Sequence, residues 1–413
     1  MLRPNTLITI TQQSNDAIPT GRTKTFTLDF VERGDIITTW QNLTDTAKII
    51  FPRNVYVDDG SGTPYQWGSF NGLKESSKNI YGDPANSTSL PLFMRGDKIK
   101  IELGYFFNTS LENTNETKIM TTVFEGYITK IKNRMPIELD CEDEMWKLKQ
   151  ITCVNKLYKN CIVQNMLKEM LAGTGIVIKD DVKGIETNIG DFRVQNETVG
   201  MVLNRLRDDA HLYSYFRGNE LRCSGIVYFP EDRNTEIFNF QDQQNPGEGI
   251  IISDSLEYTR KEDLNIAVIA HSEFIESGNG LNQDGTAKTK RKRIQVMVGK
   301  DGEINAKDKF QGSTITIPVL GATTHKQLID AAMNHFNKNY YTGFRGGFTT
   351  FGLPYVRHGD AAQIQDKVIP ERDGVYLIKQ VSTSFGLHGL RQHVLLHLRI
   401  DKGYTVAQQN AGT

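Results

Sequence analysis

Apolar and polar positions alternate with a period of two through most of the first third of the chain. LITIT (7–11), TKTFTLDF (23–30) and AKIIFPRNVYV (47–57) alternate or run apolar in short blocks. DKIKIELGY (97–105), TKIMTTVFEGYITKI (117–131) and MPIELDC (135–141) do the same. Side chains in a strand point to opposite faces in turn, so this pattern predicts half-buried β-strands over 1–152. Between 58 and 90 the pattern dissolves into Gly, Ser, Asn and Pro, as in DDGSGTPYQWGSFNG and YGDPANSTS. That composition predicts a long surface insertion between strands.

The period changes at 153. IVQNMLKEMLAGTG carries apolar Ile162, Val163, Met166, Leu167, Met170 and Leu171 on one helical face, with Gly173 placed to end the helix. NETVGMVLNRLRDDAHL repeats the stripe with Val199, Val202, Leu203 and Leu206, and Asn196 stands as its N-cap. LYSYFRGNELRCSGIVYF then predicts strand, Gly-Asn turn and strand. Residues 153–235 thus form a small α/β unit.

From 236 to 402 the strand period returns, in IIISDSLEYTRKEDLNIAVIAHSEF (250–274) and RKRIQVMVGKDGEINA (291–306). One helix interrupts it at 324–341. Its stripe is Leu328, Ile329, Ala332, Met333 and Phe336, capped by Thr323 or Thr324. Residues 403–413 read as a tail. The fold class is α+β and mainly β.

Composition narrows the function. The 413 residues include 23% charged residues at a formal net charge of -1. A protein built to hold nucleic acid shows a basic excess, which this chain lacks. The N-terminus has no apolar signal region, and no run reaches the ~20 apolar residues of a membrane-spanning segment. Cys141, Cys153, Cys161 and Cys223 form no CxxC pair and have no His at ligand spacing, so they read as reduced thiols of a protein folded in a cytoplasm.

Each candidate chemical feature has a plain structural reading. In Cys141-Glu142-Asp143-Glu144 a thiol meets three carboxylates, and Lys147 and Lys149 follow. Acids before lysines are what a short helix favours through its macrodipole. Arg95-Gly96-Asp97 is turn chemistry opening a strand. The basic run Lys288–Arg293 reads as a solvated loop beside a strand, with nucleic acid or an acidic partner as the alternative. His325 and His335 are ten apart and lie on different helix faces. Gly343, Gly346 and Gly347 lack the strand–loop–helix context of a phosphate cradle. Trp40 and Trp67 read as packing residues, with carbohydrate binding as the alternative. No Ser/His/Asp set, HExxH or GxSxG is present. The chain is read as a non-enzyme: no catalytic, cofactor-binding or metal residue is assigned, and no cofactor is expected.

Two stretches share a grammar. FMRGDKIKIELGY (93–105) precedes FEGYITKIK, and YVRHGDAAQIQD (355–366) precedes DGVYLIKQV. Each has an Arg, a Gly-Asp turn opening a strand, then an aromatic-bearing strand. The echo implies two similar barrels or half-barrels, one at each end.

In GDKIKIELGY (96–105), VFEGYITKI (123–131), PIELDCEDEMWKLK (136–149), GGFTTFGLPYVRHGDAAQI and GVYLIKQVSTSFGLHGLRQHVLLHLRI, the order of pieces resembles the baseplate hub proteins of phage tails. These form the late control protein D family, which includes the hub part of type VI secretion spikes. The likeness spans roughly 93–400; the first ninety residues fit less clearly. It implies two tail-tube-like β-barrel domains, 1–152 and 236–402, flanking the α/β domain 153–235. It implies a homotrimer whose pseudo-sixfold ring joins a hexameric tail tube or distal tail protein to a trimeric spike or tip protein. The tape measure protein is a further partner, and phage DNA passes through the lumen. The expected location is the virion tail, after assembly in the host cytoplasm. No fused needle or lysozyme-like domain is visible, so those functions are expected on other chains. The alternatives are a tail-associated cell-wall-degrading enzyme and a receptor- or carbohydrate-binding β protein.

Overall fold

The computed structural model describes residues 2–14, 23–52, 55–57, 65–69, 72–75, 78–79, 93–107, 117–132, 136–179, 189–210, 212–224, 233–240, 249–281, 287–305, 310–319, 322 and 324–400. The molecule is mainly β, and its largest sheet has 13 strands.

The chain opens with β1 (Leu2–Thr11), β2 (Thr25–Leu28), β3 (Arg33–Thr39) and β4 (Thr46–Ile50). Within the Gly/Ser-rich insertion, β5 (Val55–Val57), β6 (Tyr65–Ser69), β7 (Gly72–Glu75) and β8 (Lys78–Asn79) form a separate antiparallel meander. β9 (Lys98–Phe107), β10 (Thr117–Lys132) and β11 (Glu138–Glu142) then complete a curled sheet in the order β2-β1-β9-β10-β11-β4-β3. The alternation of KIKIELGY is realised directly: Ile99, Ile101, Leu103 and Tyr105 face the core. They meet Ile8, Ile10, Phe26, Ile36, Ile49 and Phe51, each at most 1% exposed. Each such side chain contributes about 1.5–3 kcal/mol of burial.

The short helix α1 (Met145–Leu148) leads into β12 (Lys156–Tyr158), α2 (Val163–Leu171), β13 (Val177–Ile178), β14 (Phe192–Val194), α3 (Val199–Ala210), β15 (Tyr213–Arg217) and β16 (Glu220–Ser224). The helical stripes of α2 and α3 meet in one core with Met145 and Leu148. Gly173 follows α2 at a φ of 80°, the left-handed conformation that stops a helix. The start of α3 differs from expectation. Asn196 has a φ of 53°, and Thr198 instead accepts the amide of Met201 through Oγ1 at 3.3 Å. Asn196 is held by Asn155, which takes it out of the capping geometry.

β17 (Thr235–Phe240), β18 (Gly249–Asp254) and β19 (Glu257–Thr259) return to the large sheet and its flank. The chain then departs into a four-stranded sheet of β20 (Ile266–Leu281), β21 (Ala287–Gly299), β22 (Gly302–Ile304) and β23 (Ser313–Pro318). Helix α4 (His325–Asn339) packs on that sheet through Leu328, Ala332 and Phe336, giving it a core of its own. Thr324 and Gln327 form a reciprocal capping box at its start. β24 (Gly343–Arg345), β25 (Gly347–Phe351), β26 (Ala361–Gln365), β27 (Gly374–Gly386) and β28 (Arg391–Arg399) complete the chain. The order β27-β26-β17-β18-β25-β28 returns to β27, so six strands close into a barrel. Its core is built on Phe238, Phe348, Ile364, Tyr376, Ile378 and Val394. Closure removes edges that would otherwise invite unwanted pairing.

Candidate assembly interface

The strand succession β3-β4-β11-β10-β9 is matched by β18-β25-β28-β27-β26. Every neighbour pair in both is antiparallel, and the strands occur in the same chain order. The Gly-Asp turns occupy equivalent places. Gly96 donates to the Ile128 carbonyl at 2.8 Å, and Gly359 to the Ile378 carbonyl at 2.9 Å. The Ile128 amide donates to the Asp97 carbonyl at 2.9 Å, and the Ile378 amide to the Asp360 carbonyl at 2.8 Å. Both glycines have positive φ, 94° and 87°, which explains Gly at each. The carboxylates close the turns: Asp97 accepts the amides of Met94 and Gln13, and Asp360 those of Arg357 and Asn234. Burial raises the pKa of Asp360. The echo read from sequence is thus a repeated hydrogen-bond pattern, with Ile128 and Ile378 in equivalent places.

The repeats meet inside the chain. β3 pairs antiparallel with β27, Thr39 opposite Gln380 through Arg33 opposite Gly386. Phe385 of β27 crosses the seam and, with Leu390, packs in the first barrel's core. Gly34 lies under its ring, where a Cβ would stand 2.0 Å from Phe385 Cζ. Gly34→Ala is therefore expected to cost about 1–3 kcal/mol through overpacking, read as a lowered Tm. An unchanged Tm would show that the ring is free to move. Polar contacts flank the seam: Tyr105 accepts the Gly352 amide at 3.1 Å and donates to the Leu390 carbonyl, and Tyr355 donates to the Val123 carbonyl. Burial raises the pKa of both phenols, Tyr355 to about 12, so they stay protonated donors.

β28 occupies one edge of β27, so β26 and β3 share the other, at Gly374–Leu377 and Gln380–Gly386 in effect. In β10, β11 takes one edge, and β9 takes the other only as far as Tyr127. Lys130–Lys132 therefore keep a bare edge where β27 holds β3, among the described residues. β18 is bare in the same sense. β25 takes one edge, β17 the other only to Ile251, and Ile252 is 44% exposed.

The features singled out from sequence do not converge. Cys141 lies in the first barrel's core, and burial pushes its thiol pKa far up. Glu142 pairs with Lys149 and Glu144 with Lys147. Asp143 is the acid that serves the helix, accepting the Met145 amide at 3.1 Å. Its pKa is raised by burial and by Asp45. His325 pairs with Glu303, whereas His335 adjoins Asn339. Gly343 and Gly347 sit in strands, and Gly346 turns between them at a φ of 100°. Lys288–Arg293 belong to β21 and Trp67 to β6; Lys288–Arg291 and Trp67 have side chains outside the described set. No helix among the described residues is long and apolar enough to cross a membrane.

Neither a protein-family model nor a curated protein matches the sequence. Solved structures match the fold. The tail protein from Neisseria meningitidis MC58 is 10% identical with a TM-score of 0.53, over 95% of this chain and 96% of that one. The 43 kDa tail protein of prophage MuSo2 from Shewanella oneidensis is 8% identical with a TM-score of 0.53, over 95% and 98%. At these identities the likeness is one of fold, and at that level it bears out the resemblance to the tail hub proteins.

Proposed function

We propose that this chain is a structural hub of a phage tail or related injection machine. Three copies close into a ring of six barrels, with first barrel 1–152, α/β domain 153–235 and second barrel 236–402 in each. The observation that carries this reading is the repeated strand succession with one seam already formed inside the chain. In that seam the β3 of one repeat lies on the β27 of the other. Applying the same relation again sets β18 of one copy on the bare edge of β10 in the next. Three internal and three intermolecular seams then close a ring, and a heterologous contact that closes gives a finite assembly.

The work of such a hub is pairing and burial, without bond-making chemistry. Six near-equivalent barrels suit a hexameric tail tube or distal tail protein on one face. Three chains suit a trimeric spike or tip protein, and the tape measure protein, on the other. A net charge of -1 suits a passage for DNA, because each Lys/Arg–phosphate contact adds retention. The place of action is the virion tail, after assembly in the host cytoplasm. Native mass spectrometry with electron microscopy tests the reading. The expected result is a trimer showing six similar densities around a channel; a stable monomer at the concentrations of assembly would overturn it.

A further inference from the structure

Besides the apolar core that Leu43, Met145 and Leu148 share with α2 and α3, and the bond from Arg207 to the Gln41 carbonyl, the α/β unit meets the paired barrels through one face of β15. Ser214 is 3% exposed and Phe216 enters the α/β core, whereas Tyr213, Tyr215 and Arg217 alternate onto the opposite face. Tyr213 meets Trp40, at the end of β3, edge-on with ring centroids 4.8 Å apart. Trp40 is 4% exposed and lies 5.2 Å from the His397 ring of β28. Tyr215 stands edge-on to His358 at 5.0 Å. Arg217 covers the Tyr215 ring, donates to the His358 carbonyl, and sets Nη1 3.0 Å from His358 Nε2.

A guanidinium only donates, so Nε2 must accept, and the His358 imidazole is neutral with its proton on Nδ1. That Nδ1 is buried and has no hydrogen-bond partner, in a residue of 0% exposure. Asp45 Oδ2 stands 3.6 Å from Nε2, beyond a hydrogen bond. The other titratable groups around His358 are Arg357, Asp360, Tyr215 and Tyr355.

We propose that this face is an acid-sensitive joint: protonating His358 parts the β15 face from the paired barrels while the barrels stay closed. A proton on the His358 imidazole places a new cation beside Arg217 of β15 in a buried contact, and parting the faces relieves both the burial and that repulsion. The pKa of His358 is pushed down to about 4, by burial first and then by Arg217. The sign follows. The docked state binds fewer protons than a free histidine of pKa about 6.5. Docking is therefore complete above that value and is lost as pH falls toward 4. With one imidazole the opening constant rises up to about tenfold per pH unit inside that window.

Hydroxyl-radical footprinting of the full chain, read by mass spectrometry, tests the joint. Oxidation at Trp40 and Tyr213 is expected to rise about tenfold between about pH 7.5 and about pH 4.5, while Tyr376 in the second barrel's core stays protected. In the variant His358→Gln, that pH dependence is expected to vanish. Protection of Trp40 that persists in acid, or that is lost together with Tyr376, would overturn the joint. Should the variant not fold, a histidine NMR titration of the unaltered chain decides: His358 must titrate below about pH 5, and a value near 6.5 rejects the proposal.

Discussion

Phe385→Ala is expected to lower the free energy of unfolding by about 3–5 kcal/mol, the range for removing a buried aromatic side chain. The reason is position. Phe385 lies on β27 of the closed barrel, yet its ring is 4% exposed inside the core of the other barrel. Truncation leaves a cavity that Gly34 cannot fill, because it has no side chain, and β3 loses the ring that clamps it. Calorimetry should show a lower midpoint and the first barrel melting ahead of the second. A loss under about 1 kcal/mol would mean that the backbone ladder alone joins the repeats.

A second substitution should leave the fold intact and abolish assembly. Ile252 lies at a bulge in β18, on the edge that carries β17 only as far as Ile251. Ile252→Lys puts a charge on that edge, the device by which natural sheets refuse further pairing. At an exposed site the cost to folding should stay within about 0.5 kcal/mol. For the proposed trimer, the expected outcome in native mass spectrometry is conversion to monomer with unchanged circular dichroism. Trimers that survive the lysine would place the intermolecular seam elsewhere.

How much of this could be read from the sequence depends on the range of each interaction. KIKIELGY declares its inward face by alternation alone, and Ile99, Ile101 and Leu103 are buried accordingly. The stripes of α2, α3 and α4 are equally local. The Gly-Asp echo was legible because a tight turn demands the same residue types wherever it recurs. Other features leave no local mark. The parallel pairing of β17 with β26 joins Thr235 to Ala361, and nothing in either short strand names the other. The sheet β20–β23 has the same alternation as a barrel strand, so its separate core shows only once α4 is seen packed on it. His358 reads as part of a turn; only folding brings Arg217 and Asp45 to it. The alternation Tyr213, Tyr215, Arg217 was visible, but Ser214 and Phe216 between them are also buried, and a strand buried on both faces does not announce which side meets another unit.

The seam between β3 and β27 also sets a timetable. Thr39 Oγ1 donates to the Lys379 carbonyl across 340 residues of chain. A growing polypeptide therefore exposes β3 long before its mate has been synthesised, and contacts of such separation form slowly. A truncated product therefore carries an unfilled ladder and is marked for aggregation or proteolysis.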